Sequence, residues 1–406
     1  MKGTTSEKFQ GYKSDANEAI RFKLVRTEKD IDSDDYFHPD MTHQLFGEKE
    51  TIFGYKDLKI DIFCTAANLY TYIRVKYSEK IDPAKADGVE ADNVLKMLSQ
   101  EYTDGLITNV DDFSMKLMKD ENFKPFGKKI HSYTRLHESK EKTFSIYQSS
   151  IEDDGFRSFH SRMQPFLLFF VDAGSYIDTD DEKWNYYVLY EEYKSAEGKL
   201  LYAFVGYMTI YNYYAYPEHI RPRISQVIVL PPYQRMGHCV QLVETFYNLS
   251  SGDKMIKDIT VEDPSENFQR VRDFIDARNC EKLESYQPCF LKACFTEDMY
   301  EEANKKFKLC RRQARRIYEI LRLACTDRGN KEEYKAYRLD IKKRLYAPYH
   351  KSVRDFAKLK RALCYTEFAN ALHNSTNDQK KEYLSKAYEE LEIEYLKVIS
   401  RLVIGQ

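Results

Sequence analysis

The stretch VIVLPPYQRMGHCVQLVETFYNLS, Val227–Ser250, decides how the chain is read. With the residues before it, it gives ISQVIVL, whose β-branched content marks a buried strand. Pro231 and Pro232 remove two ladder donors and stop that strand. A polar turn carrying Gln234, Arg235 and Gly237 follows, and the glycine lets the backbone come close to a ligand. Cys239, Leu242, Val243 and Phe246 then recur at i, i+3, i+4 and i+7, so a helix begins. Strand, turn and helix leave several main-chain N–H groups aimed at one spot and backed by the helix dipole, which makes a pyrophosphate site. Arg235 adds a cation. The same spacing fits an ordinary strand-to-helix connection with a glycine at the helix start, so both readings stand on spacing alone.

Outward from this stretch, the 406 residues have room for two or three domains and a real core. An apolar share of 42% beside 32% charged residues fits a soluble globular chain. The start, MKGTTSEKFQGYKSDANEAI, has no apolar core of a signal peptide. FLLFFV, Phe166–Val171, suits a buried strand or helix segment and is far too short to cross a bilayer, so no membrane contact is expected. Eight scattered cysteines form no CxxC pair, which points to free thiols in a reducing compartment and to no structural metal.

The net charge of −2 hides an asymmetry. From Leu291 on there are 26 Lys and Arg against 17 Asp and Glu, a net of +9, while the first 290 residues carry 37 against 48, a net of −11. An acidic body favours cationic ligands through its field. Ordinary solvated faces are the alternative reading of both halves.

Strand signals dominate from about Lys128 to Val261: TFSIYQSS, WNYYVLYEEY, LLYAFVGYMTIYNYYAY, PRISQVIVL and MIKDITVE. From about Met299 onward three long charged stretches are amphipathic with helical period, beginning MYEEANKKFKLCRRQARRIYEILRLAC. The expected class is α+β: an N-terminal α/β domain over 1–127, a mixed-sheet core over 128–290 and a helical domain over 291–406.

Two further elements carry chemistry. In MIKDITVEDPSENFQRVRDF a strand ends at Glu262 and a helix follows. Asp263, Pro264 and Glu266 fit an N-cap, a first-turn proline and a capping-box acid. Glu262 at the strand end can face a cleft as a general base, or serve as a surface ion-pair partner. The tyrosine-dense hairpin VGYMTIYNYYAYPEHIRPRISQ suits a groove for a lysine side chain, or plain strand packing.

QRMGHC resembles the acyl-CoA pyrophosphate loop of the GCN5-related N-acetyltransferase superfamily, whose pattern is Gln/Arg-x-x-Gly-x-Gly/Ala. More narrowly, THQLFGEKETIFGYKDLKI, ENFKPFG, VGYMTIYNYYAYP, RPRISQ, DITVEDPS and ARRIYEILRL resemble the catalytic subunits of type B histone acetyltransferases. The resemblance runs from about Glu18 to the C-terminal helices. It implies an acetyltransferase core of that superfamily, with acetyl-CoA as co-substrate. Val227, Ile228 and Val229 would hold the pantetheine arm and acetyl carbonyl; Gln234, Arg235, Met236, Gly237, His238, Cys239 and Val240 would cradle the pyrophosphate. Glu262 would be the base, with Asp263 and Asp172 as neighbouring carboxylates. Glu48, Lys49, Glu50, Tyr211, Asn212 and Tyr213 would line a histone-tail groove. Two positions depart from the pattern: Cys239 stands where Gly or Ala is usual, and Asp172 where the family tends to have glutamate. The resemblance further implies core histone tails, chiefly of histone H-four, as substrate. It implies a WD-repeat β-propeller histone chaperone as partner, no direct nucleic-acid binding, and residence in cytoplasm and nucleus. KKFK and RRQARR resemble import signals or a solvated helix face. Rival readings are an acetyltransferase for another amine, such as a protein N-terminus or a polyamine, and a histone-binding scaffold without catalysis.

Overall fold

Short strands with apolar residues buried on one or both faces open the chain. In the computed structural model, residues 9–362 and 377–404 are described, apart from 85, 87 and 138; side chains are not described for 348–362, 377–380 and 404. The chain packs as two compact units, residues 1–213 with 223–245, and residues 214–222 with 246–406.

In the first unit, β1 (Ile20–Val25), β2 (Lys59–Thr65), β3 (Thr71–Lys76) and β4 (Leu106–Ile107) form a mixed sheet in that order. β1 runs parallel to β2, β2 antiparallel to β3, and β3 parallel to β4. The one-turn helix α1 (His43–Phe46) lies between β1 and β2 in sequence, and α2 (Val110–Asp120) packs Phe113 and Leu117 against Val25 and Phe63. Asp61 on β2 is fully buried and survives there because Arg21 and Arg74 both bond it.

In the larger sheet β5 (Lys128–His137), β6 (Lys140–Ser149), β7 (Trp184–Lys194), β8 (Leu200–Ala215) and β9 (His219–Val229) are successive neighbours. Between β6 and β7 the chain makes α3 (Phe156–Met163) and, from FLLFFV, the short helix Leu167–Phe170. The register of β7 on β8 slips between Leu189, opposite Gly206, and Tyr190, opposite Phe204. Val205 is therefore the extra residue of a bulge, and its carbonyl accepts from the N–H of Leu230 at 2.9 Å. A Cβ on Gly206 would lie 2.1 Å from the Ile228 carbonyl oxygen, so only glycine allows β9 this close to β8. The bulge sits where β9 is about to end, beside the turn that opens the site.

The next helix, α4 (His238–Ser250), buries Leu242, Val243 and Phe246 as the periodicity predicts. In the second unit, β10 (Thr260–Val261) is all that MIKDITVE contributes as strand. The residues before it are held irregularly: the Ile220 N–H donates to Met255 O (2.8 Å), Arg221 grips Asp258, and the Ile259 N–H reaches Lys308 O (2.8 Å). Helices α5 (Glu266–Cys280), α6 (Glu297–Phe307), α7 (Arg311–Cys325), α8 (Lys331–Ala362) and α9 (Asn377–Ile404) complete it. Their core gathers Tyr286, Ile317, Tyr318, Ile320, Tyr337 and Tyr395. MYEEANKKFKLCRRQARRIYEILRLAC, which scans as one amphipathic run, is two helices: Lys308 adopts φ +56° and ends α6. Arg311, Arg315 and Arg316 of RRQARR are ion-paired with Glu297, Asp340 and Asp273 respectively. The fold is thus α+β with mixed sheets and a helical C-terminal region.

Candidate active site

The end of β9 alternates half-buried Val227 and Val229 with buried Ile228. Pro231–Tyr233 makes one tight turn and the chain then changes hand, with Arg235 at φ +62° and Gly237 at φ +82°. Gln234 folds back on the strand, its Nε2 donating to Val229 O at 3.0 Å. The first bond of α4 back to the turn runs from the Gln241 N–H to Gly237 O (3.1 Å). The N–H groups of His238, Cys239 and Val240 have no acceptor among the described residues, as the first turn of a helix requires. Space over the loop is open: a Cβ on Gly237 would meet nothing nearer than the Arg135 guanidinium, at 3.8 and 3.9 Å. A row of donors without acceptors at the positive end of a 13-residue helix is a place for an anion.

The side chains of the loop divide between exposed, as at Gln234 and Arg235, and core. His238 turns inward, with its ring 4.3 Å from that of Phe144 and Nδ1 2.7 Å from the Tyr133 hydroxyl. Burial, aided by the Arg135 charge, pushes its pKa down to about 4, so it is neutral and offers the loop only its main chain. Burial pushes the Cys239 thiol up to about 12. A thiol so protonated is a weak nucleophile, which argues against a covalent acyl carrier. Beneath Tyr233 lies a buried ionic knot: Glu191 accepts from Arg26 (2.6 Å) and from the Tyr233 hydroxyl (3.0 Å), and Lys142 stands 3.5 Å away. Arg26 and Lys142 hold the Glu191 carboxyl below its usual range against the opposing effect of burial.

The residues expected to line a peptide groove fall into two clusters of the first unit. Glu48 and Lys49 are exposed on the turn after α1. Glu50 turns back into the chain and accepts from the N–H groups of Thr42 (2.6 Å) and His43 (3.1 Å) and from Asn17 Nδ2 (2.8 Å). The Thr42 bond, first among these, holds its carboxyl below the usual range. His43 joins two predicted residues, with Nε2 3.4 Å from Asp172 Oδ1 and Nδ1 3.8 Å from Glu50 Oε1. Gln44 fixes the same turn by donating to Gly174 O at 2.9 Å. In the other cluster the Tyr211 ring meets Trp184 edge-on at 4.9 Å and Tyr213 at 4.6 Å, and its hydroxyl donates to Asp181 (2.7 Å). Asn212 anchors its N–H on Lys183 O (3.1 Å). The face of Tyr213 already carries the guanidinium of Arg223, 4.5 Å from the ring centre.

Glu262 and Asp263 belong to the second unit and follow β10 directly, both exposed. The expectation that Asp263 caps the helix is corrected here. Ser265 is the N-cap, its side chain accepting from the Phe268 N–H at 3.2 Å, and α5 starts at Glu266. Asp263 instead takes φ +28°, and Pro264 precedes the cap rather than following it. Sequence reasoning also passed over Arg135, whose Nε donates to Met236 O inside the loop at 3.2 Å. The signal was available in KKIHSYTRLH, where His131, Tyr133 and Arg135 share one face of a strand. Among the described residues no group of three or more His, Cys, Asp or Glu could hold a metal ion, and no helix is long and apolar enough to cross a membrane.

Residues 12–172 match the family described as Histone acetyl transferase HAT1 N-terminus, and residues 272–323 match Histone acetyltransferase type B catalytic subunit, C-terminal. The human histone acetyltransferase type B catalytic subunit is 43% identical over 408 residues, 99% of this chain and 96% of the human one. The chain belongs to the histone acetyltransferase type B catalytic subunit family. The mouse protein of that name is 43% identical over 404 residues, covering 99% and 97% of the two chains. A Dictyostelium discoideum member is 35% identical over 361 residues, 82% of this chain and 76% of its own.

As a member of this family the chain is an acetyltransferase, and such enzymes use acetyl-CoA. The loop 234–240 fits a diphosphate: the α4 N–H groups are unpaired, the space over Gly237 is open, and Arg135 stands beside it.

Proposed function

We propose that this acetyltransferase moves the acetyl group of acetyl-CoA to lysine amines in the tails of newly made core histones, chiefly histone H-four. The observation that supports the cofactor half is the row of unpaired N–H groups from His238 to Val240 behind a left-handed turn. Bound there, acetyl-CoA supplies the activated acyl group. Val227–Val229 hold its arm beside the bulge at Val205, and Gln234–Val240 hold its diphosphate.

A lysine amine has a pKa of about 10.4, so at pH 7.5 only about one in a thousand is unprotonated. The chain must therefore take a proton from it. Glu262, following β10, is the base in this reading, acting directly or through a water, and Asp263 and Asp172 are its further candidate carboxylates. Glu48, Lys49, Glu50 and the Tyr211–Tyr213 segment bind the tail, and the acidic excess of the first 290 residues draws it in. A WD-repeat histone chaperone as partner, and residence in cytoplasm and nucleus, complete the proposal.

Release of CoA thiol with an H-four tail peptide, other histone peptides and spermidine as acceptors tests it. Turnover on the H-four peptide, with the acetyl group located on lysine by mass spectrometry, is the expected result. Turnover on spermidine alone would transfer the reading to small amines. Tight peptide binding without turnover would leave a scaffold.

A further inference from the structure

We propose that Arg135 is the side-chain cation that pairs with the diphosphate of acetyl-CoA, completing from β5 the cradle formed by Gln234–Val240. The inference rests on the reading of that loop as the phosphate site. Arg135 is placed by two bonds to main-chain carbonyls, Nε to Met236 O at 3.2 Å and Nη1 to Thr134 O at 3.3 Å. Its guanidinium lies 5.2 Å from the centre of the Tyr133 ring. Nη2 has no acceptor among the described residues, and it is the atom nearest the open space over Gly237.

Local charge favours an anion beside Arg135. Arg135 stands directly opposite Lys142 of β6, so two cations share one face of the sheet. Lys142 is 3.5 Å from Glu191, but that carboxylate is already held by Arg26 at 2.6 Å. No carboxylate among the described residues pairs with Arg135. Among the described residues, Glu191 is thus the one carboxylate ion-paired with any of Arg26, Lys142 and Arg135, next to a helix end whose N–H groups also have no acceptor there. An anion offsets both excesses, and a diphosphate matches the two-pronged donor geometry of a guanidinium. The strand carrying Arg135 is fastened to α4 by Tyr133–His238 (2.7 Å) and His131–Gln241 (3.0 Å), so the cation is held in place before the ligand arrives.

Calorimetric titration of CoA and of dephospho-CoA, which lacks the 3′-phosphate but keeps the diphosphate, reads the inference without turnover. Arg135→Gln is expected to weaken CoA at least tenfold, and dephospho-CoA by the same factor. Arg135→Lys keeps the charge and loses the fork, so several-fold weakening is expected; it carries the test if the Gln variant does not fold. Wild-type affinity in the folded Arg135 variants overturns the inference. So does a penalty that vanishes with dephospho-CoA, which would place Arg135 on the 3′-phosphate. Gly237→Asp run alongside separates the two levels. If it binds CoA normally, the reading of the loop fails. If it loses CoA while Arg135→Gln does not, the assignment of Arg135 alone fails.

Discussion

Replacing Gly237 separates the backbone demand of the loop from its ligand demand. The residue sits at φ +82°, a region that disfavours an L side chain by ~1–2 kcal/mol. No steric clash adds to this, because a Cβ there finds only the Arg135 nitrogens at 3.8 and 3.9 Å, ordinary contact distances. Gly237→Ala should therefore lower stability by about 1–2 kcal/mol and leave the protein folded, given a total of about 5–15 kcal/mol. Gly237→Asp carries the same strain but puts a carboxylate beside Arg135. At ~4 Å and an effective dielectric constant of about 20 such a pair attracts by about 4 kcal/mol before desolvation, which offsets part of the strain. That same carboxylate occupies the place of a phosphate and repels one. CoA affinity should fall about tenfold or less in Gly237→Ala and more than a hundredfold in Gly237→Asp, a difference of at least ~1.4 kcal/mol. Titration calorimetry gives the affinities and thermal melting the stabilities. If both variants melt as expected and bind CoA equally well, charge at this loop is irrelevant to the ligand and the diphosphate assignment falls.

Three further outcomes follow from the side chains. Glu262→Gln keeps size but cannot accept the proton, so kcat should drop roughly 10²–10⁴-fold with little change in melting temperature; a near-normal kcat would move the base elsewhere. Ser265→Ala removes the cap of α5 and should cost ~1 kcal/mol, whereas Asp263→Ala, outside the cap, should cost much less; chemical denaturation of the two variants decides between them. His160 and His238 are buried and both sit at about 4 instead of 6.5, so their neutral forms are the folded ones. The stability they contribute is fully present above pH 6.5 and is lost as pH falls toward 4, by roughly 3 kcal/mol for each group. Urea unfolding across that range should show the slope, and His160→Phe should reduce it; a pH-independent midpoint would contradict the burial of both rings.

What the sequence disclosed was what lies close together along it. The strand, the proline stop, the left-handed glycine and the amphipathic helix of Val227–Ser250 are local events, each tied to a residue type with few other uses, and all appear in place. Where two local rules competed, the sequence could not choose. Asp263 and Ser265 are both good caps, and the proline between them favoured the first. In the chain Asp263 takes a left-handed turn off β10 instead, so the second becomes the cap. Likewise helical periodicity continues through Lys308, and the break there is held by distant partners: the Ile259 N–H pairs with its carbonyl, and Asn304 Nδ2 donates to Lys257 O and Leu309 O.

Contacts made across the fold left no such trace. Asp172 and Glu50 were each legible as candidate site acids, but nothing in either segment says that His43 stands between them. Tyr213 was legible as a surface for a cation, yet its face is covered by Arg223, brought there by the hairpin itself. A lysine entering that cluster would use Tyr211, displace Arg223, or bind elsewhere. Arg135 is the sharpest case. It lies about a hundred residues before the loop it supports, on a strand whose alternation looks like any edge strand. Its meaning comes only from the register that sets it against Lys142 and from the distance to Met236. A cation that no carboxylate among the described residues pairs with can take a charge that arrives from outside, and the loop beside it offers the donors for one.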